Sequence, residues 1–317
     1  MSRYRKRAST TAASLAVLAL LAAYPTTPLL ADSCSDLDGI RLQVLGSGGP
    51  IADDARASSA YLVWIDGESK IMVDAGGGAF VRFGEAGADF AELDVVALSH
   101  FHTDHSADFI TLLKTGFFSP RERPLAVTGP GAGGPFPSLD AWLDSNLGRG
   151  EAYGYLGGYL DGSGGLVQLL PTTVDPARRG AEVVFRSPDE RVTIQATGVP
   201  HGIVPAVGYR VSVAGRDIVF ASDQNGNDGT FVDFAKDADV LVMHMVVPED
   251  ATGAMRALHA PPSRIGEIAS AANVRKLVLS HFMARSLQNL DQNIGLVRQQ
   301  FEGNVVVAED LMCITVD

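Results

Sequence analysis

The chain has 317 residues, 46% of them apolar and 20% charged, and its 25 Lys and Arg against 37 Asp and Glu give a formal net charge of −12 at pH 7. That balance suits one large or two modest soluble α/β domains with a real core. It argues against a general nucleic-acid binder, whose hold on the phosphate backbone comes from clustered Lys and Arg.

The first segment reads as an export leader. "MSRYRKR" is basic, "ASLAVLALLAA" is a short apolar run, and "YPTTPLLA" leads to Asp32, the order of a secretory signal peptide. The apolar run is too short to span a bilayer comfortably. Residues 1–31 are therefore expected to be removed, leaving 32–317 as one exported hydrolase domain, periplasmic or secreted, with no stable membrane span. Losing Arg3, Arg5, Lys6 and Arg7 and no acid makes the mature chain more acidic still. Cys34 and Cys313 are the only cysteines and lie near opposite ends of the chain. In an oxidising compartment they could bridge, and on sequence alone two unpaired thiols fit as well.

Strand-like runs follow along the chain: "IRLQVLGS", "AYLVWID", "KIMVDAG", "LDVVALSH", "RVTIQATGV", "GYRVSVAG", "RDIVFASD", "DVLVMH", "RKLVLSH" and "VVVAED". Helical patterns lie among them at Ala107–Lys114, Ser263–Ala272 and Ser286–Phe301. Strands mixed with helices predict an α/β domain whose sheets are covered by helices. Gly-rich stretches at 46–49, 76–78 and 148–165 read as loops. In the last of these Tyr153, Tyr155 and Tyr159 could line a substrate mouth, an ordinary surface loop or dimer contact being the alternative.

The seven histidines begin only at His100, and "ALSHFHTDHSADF" gathers three of them with an aspartate between His100 and His105. Several others close strand-like runs, as do Asp74 and Asp223, so their side chains should meet at one rim of a sheet. A lone histidine is more often a hydrogen-bonded core residue than a ligand, and that reading stays open for His244 and His259. It fails for the cluster, because buried imidazoles and carboxylates at this density are costly unless a cation pairs them. The donor set suits zinc, iron or manganese, and the count exceeds what one ion uses.

The order of these motifs resembles the metallo-β-lactamase superfamily. Its HxHxDH element stands as His100-Phe101-His102-Thr103-Asp104-His105, with "VDAG", "VPHG", "ASDQ" and "LSHF" in the family's order. The resemblance implies a four-layer αββα sandwich with two zinc ions, manganese or iron being alternatives. One ion would take His100, His102 and His201, and the other Asp104, His105 and His281. Asp223 would bridge them, and Asp74 would orient ligands from behind. "LGSGGP" and "HAPPSRIGEIASAANVRKLVLSHFMAR" resemble the ribonuclease Z branch, which includes bacterial arylsulfatases and cyclic-nucleotide phosphodiesterases. His259 and Arg285 match positions of that branch.

Departures from the branch shape the functional expectation. His244, in "MHMV", stands where ribonuclease Z proteins carry the Glu of His-Glu-Ala-Thr, and no basic arm separates His105 from His201. With the export leader, this argues against tRNA processing and nucleic acid as a partner. The expectation is a dinuclear hydrolase of small anionic esters, aryl sulfate ahead of phosphodiester, by attack of a metal-bridging hydroxide. Asp104 counts among the catalytic residues, and His244 and His259 are general-acid candidates, with support of the ligands as their alternative role. Arg285 is the candidate anion donor, a structural salt bridge being the alternative. The rivals are a β-lactam or lactone hydrolase, an iron-dependent redox enzyme, and a metal-bound binding protein. A homodimer is compatible with all of them.

Overall fold

Alternation along the strands sets the layers. The computed structural model describes residues 34–317, so the expected leader lies outside the described residues. In β2 (Ala60–Ile65) every residue is buried, with Tyr61, Val63 and Ile65 in one core and Ala60, Leu62 and Trp64 in another. A strand apolar on both faces belongs between two layers, and each fully buried large side chain stabilises by about 1.5–3 kcal/mol. β1 (Ile40–Gly46), β3 (Glu68–Val73) and β4 (Val95–Ala97) divide in the same way.

These strands share one sheet with β5 (Leu125–Pro130), β6 (Leu169–Val174) and β14 (Cys313–Thr315), in the order β14-β1-β2-β3-β4-β5-β6. A second sheet repeats the plan with β7 (Glu182–Arg186), β8 (Val192–His201), β9 (Val204–Val213), β10 (Arg216–Phe220), β11 (Val240–His244), β12 (Lys276–Ser280) and β13 (Asn304–Val307). In each sheet the first three pairings are antiparallel and the last three parallel. One core lies between the sheets and continues beneath the helices Thr230–Phe234, Pro262–Ala271 and Leu290–Gln300. The other lies beneath Ala79–Glu85, Phe109–Gly116 and Leu139–Leu147. The result is the predicted αββα sandwich. Among the described residues no helix is long and apolar enough to cross a membrane.

Parallel pairing brings the C-terminal ends of β3 and β4 to one edge, and those of β10, β11 and β12 to the facing edge. Those ends carry or lead into Asp74, His100, Asp223, His244 and His281. β9 crosses to the other sheet there: Val207 donates its N–H to Ser99 O at 3.0 Å, and the Tyr209 hydroxyl donates to Leu98 O at 2.9 Å.

Several elements differ from the sequence expectation. β5, β6 and β7 were not read as strands. β6 and β7 are half-exposed edges, and β6 carries Pro171, so neither shows the alternation of a central strand. The pattern at Ser286–Phe301 is two helices, Ala284–Leu287 and Leu290–Gln300, broken at Asn289. The 148–165 stretch contains the short helical turns Gly154–Leu156 and Gly158–Asp161. Cys34 and Cys313 are joined in a disulfide that ties the start of the described chain to β14, with Cα atoms 5.7 Å apart.

Candidate metal centre

The cluster motif turns sharply after β4. His100 ends the extended segment and Thr103–Ser106 forms a single helical turn, which points Asp104 and His105 toward the sheet edge. The turn is fastened to the loop after β3 by Ala75 N to His105 O at 2.8 Å and Asp108 N to Ala75 O at 2.9 Å. Gly76 permits the approach, since a Cβ there would lie 2.1 Å from Asp104 O. Asp74, Ser222 and His281 have positive φ angles of 59°, 57° and 58°. Such strain, about 1–3 kcal/mol each for a non-glycine residue, concentrates at functional sites.

Asp223 is the centre of the arrangement. Its Oδ2 lies 3.5 Å from His201 Nε2, 4.0 Å from His100 Nε2 and 3.8 Å from His105 Nε2, and its Oδ1 is 3.3 Å from His281 Nε2. His100 Nε2 and His102 Nδ1 are 3.1 Å apart, and His105 Nε2 and His281 Nε2 are 3.0 Å apart. Asp104 Oδ2 faces that second pair, 3.2 Å from His281 and 3.6 Å from His105. Two groups have the spacing of a metal site, His100-His102-His201-Asp223 and His105-Asp223-His244-His281, and they share Asp223.

The donors fit a cation. His201 Nε2 is buried among them without a hydrogen-bond partner, a position costly to leave unpaired. Burial, with neighbouring imidazoles, holds His100 well below its usual pKa. Burial also pulls on His105, but Asp74, Asp223 and Asp104 outweigh it and raise its pKa to about 9. Burial of Asp223 is outweighed by the surrounding imidazoles, which keep its carboxyl well below the usual range. Carboxylates and lone pairs packed this closely form a strong cation-binding field.

Asp74 sits behind the ligands. Its carboxylate accepts from Ser99 N at 2.7 Å and Ser99 Oγ at 2.8 Å, and from His105 Nδ1 at 2.7 Å. A proton on His105 Nδ1 leaves Nε2 free as a donor atom. His201 is held likewise, Nδ1 donating to Leu258 O at 3.0 Å.

The general-acid candidates occupy different positions. His244 Nδ1 is 2.6 Å from Asp223 Oδ1 and its Nε2 is 3.1 Å from the Tyr61 hydroxyl, which also lies 2.9 Å from Ser280 Oγ. Both ring nitrogens are engaged and the ring does not line the cavity, a geometry that suits His244 to support of the neighbouring groups better than to proton donation. Burial, reinforced by the nearby His281, pushes its pKa down to about 3. His259 does line the cavity, its Nδ1 3.8 Å from Asp223 Oδ2 and without a hydrogen bond. Burial pushes it down to about 4.

The cavity over these residues has a volume of about 510 Å³ and includes Arg285. The guanidinium is exposed, with Nε donating to Val246 O at 3.3 Å and Nη2 lying 2.8 Å from Met283 Sδ. Among the described residues no carboxylate forms a salt bridge with it, which removes that alternative. The tyrosines of 148–165 are not at the mouth. Tyr159 is fully buried, its hydroxyl on Leu113 O at 2.7 Å, and Tyr155 lies on the surface with its ring 5.3 Å from Lys114 Nζ. Tyr61 lies outside the sequence motifs, whereas Ser280 and Phe101 stand inside "LSHF" and the histidine cluster at positions whose residue type signals no role.

Residues 69–282 match the family model described as the beta-lactamase superfamily domain. The ribonuclease Z of Methanosarcina acetivorans is 27% identical over 86% of this chain and 97% of its own length. That of Mycobacterium bovis is 27% identical over 86% of this chain and 96% of its own. Among solved structures, human tRNase Z, short form, is 20% identical with a TM-score of 0.67, covering 87% of this chain and 99% of its own. The metallo-β-lactamase fold protein YhfI of Bacillus subtilis is 22% identical with a TM-score of 0.66 and the same coverage.

These relatives correct three expectations. An arylsulfatase is not what they point to, since the curated relatives that span most of the chain are named for action on RNA. The exclusion of nucleic acid and the dismissal of tRNA processing fall on the same finding, and the lactam, lactone and iron-redox rivals are set aside with them. The error was physical: net charge describes the whole surface, whereas a cleft is governed by its local field.

Proposed function

Because the chain belongs to the metallo-β-lactamase superfamily, on its ribonuclease Z branch, we propose that it is a metal-dependent phosphodiesterase acting on RNA. The observation that carries this reading is a pair of candidate ligand groups sharing Asp223 beneath a cavity that includes a guanidinium with no carboxylate partner among the described residues. Zinc is the proposed metal, for which mixed imidazole and carboxylate donors are well suited. His100, His102 and His201 would hold one ion and Asp104, His105 and His281 the other, with Asp223 common to both. Bound there, the ions supply Lewis-acid charge and a water acidified to hydroxide.

The chain's own residues supply the rest. Arg285 binds a non-bridging phosphate oxygen, a charge-assisted contact favoured by its lack of a carboxylate partner. Asp74 and His244 fix the orientation of His105 and Asp223. His259, neutral near pH 7, presents a ring N–H to the departing oxygen. Phe101, Val246, Leu258 and Met283 form an apolar wall that limits water and so strengthens these interactions. The disulfide supports an oxidising compartment as the place of action, which is the proposal for its location.

The test is turnover by the zinc-loaded chain of a short RNA, of bis(p-nitrophenyl) phosphate and of p-nitrophenyl sulfate. Cleavage of the RNA and the diester, lost on chelation and in Asp223→Asn, is the expected result. A protein that holds its metals and leaves both phosphodiesters intact overturns the proposal.

A further inference from the structure

The cavity has two unlike ends, and chain position relates each to one ligand group. Phe101 lies between His100 and His102, which belong to the group with His201. Its half-buried ring stacks parallel to Trp142, with centroids 5.0 Å apart and planes 5° from one another. Trp142 is itself braced by Phe109 at 5.7 Å, and Phe136 packs edge-on against His102 at 6.0 Å. Met283 and Arg285 follow His281, which belongs to the other group. The His259 ring stands between the two groups, 5.3 Å from the His201 ring and 6.1 Å from the His281 ring.

A phenyl ring held by a stacked indole has a fixed orientation, and Phe101 is the aromatic residue that lines this cavity. A rigid aromatic beside a phosphodiester site suits a flat ring, because stacking on an aromatic side chain is favourable for any base.

Resting on the phosphodiesterase reading, we infer that Phe101, backed by Trp142, is the platform on which a planar ring of the substrate stacks. The ring is the one on the group that stays attached to phosphorus, and the leaving group lies away from Phe101, on the side of the cavity where Arg285 follows His281. The substrate class is thus a phosphodiester with a nucleobase or aryl ring on its retained side. Phe101 sets specificity and takes no part in bond breaking.

The experiment compares bis(p-nitrophenyl) phosphate with methyl p-nitrophenyl phosphate, which share a leaving group and differ in the retained one. For the zinc-loaded wild type, kcat/KM should favour the bis-aryl ester. Phe101→Leu, which keeps apolar volume and loses the ring, should cut that preference about tenfold, the scale of one stacked base. Phe101→Tyr should restore it. A preference unchanged in Phe101→Leu overturns the platform and leaves the phosphodiesterase reading standing. Failure of the wild type on both esters overturns that reading, and the inference with it. Binding of uridine monophosphate to the zinc-free protein gives a readout independent of turnover, and its affinity should also fall about tenfold in Phe101→Leu.

Discussion

Tyr61→Phe removes one oxygen from a buried chain that ends at the shared carboxylate. A carboxylate only accepts, so His244 carries its proton on Nδ1, 2.6 Å from Asp223 Oδ1, and Nε2 accepts from the Tyr61 hydroxyl at 3.1 Å. Tyr61 is 1% exposed and His244 5%, so no bulk water replaces the lost donor. An unpaired buried acceptor costs about 1–3 kcal/mol, and Ser280 Oγ loses its 2.9 Å partner as well. Urea unfolding of the metal-free protein should therefore show a loss of about 1–3 kcal/mol. The ring keeps its place between Phe220 and His244, so no cavity adds to that figure. Because His244 orients Asp223, zinc affinity measured by chelator competition should fall about 10- to 100-fold, as for other residues supporting metal ligands. Unchanged zinc affinity at reduced stability would refute the orienting role and leave Tyr61 a core residue only.

Arg285→Ala should raise KM for anionic esters about tenfold with kcat nearly unchanged, the pattern of a group that binds ground and transition states alike; a loss confined to kcat would place the residue in the chemistry. Gly76→Ala should reduce zinc content and cost about 1–3 kcal/mol in unfolding, because its Cβ would meet Asp104 O at 2.1 Å. Metal content equal to wild type would show that the Thr103–Ser106 turn can shift freely. Cys34→Ser should destabilise by about 2–4 kcal/mol, since the bridge closes nearly the whole described chain. Thiol titration of unfolded wild-type protein should find no free cysteine, and detection of two would remove the argument for an oxidising compartment.

The fold and the convergence of imidazoles and carboxylates on one edge were legible because both rest on short-range pattern. Central strands such as Val95–Ala97, and Val240–His244 up to its final histidine, are apolar without interruption, which is how a strand covered on both faces reads. The ligands sit at the ends of those strands, in motifs whose spacing is local. The edge strands were illegible for the converse reason: Leu169–Val174 is open on one side, so Pro171 and Thr172 are tolerated and the periodicity fades.

Roles that depend on which side of a ligand a group occupies could not be read along the chain. His244 and His259 both looked able to supply a proton. Folding turned one behind Asp223 onto Tyr61, 183 residues away in sequence, and left the other facing the cavity. Arg285 had two readings until the described residues around it proved to offer only a carbonyl oxygen and sulfur. The cysteines had two readings until β14 paired with β1 and brought them into bonding range. Residue order carries the identity of donor atoms and the local turns that aim them. Which groups are neighbours, and which charges go unanswered, emerges when distant segments pack, because desolvation and Coulomb energy depend on separation in space.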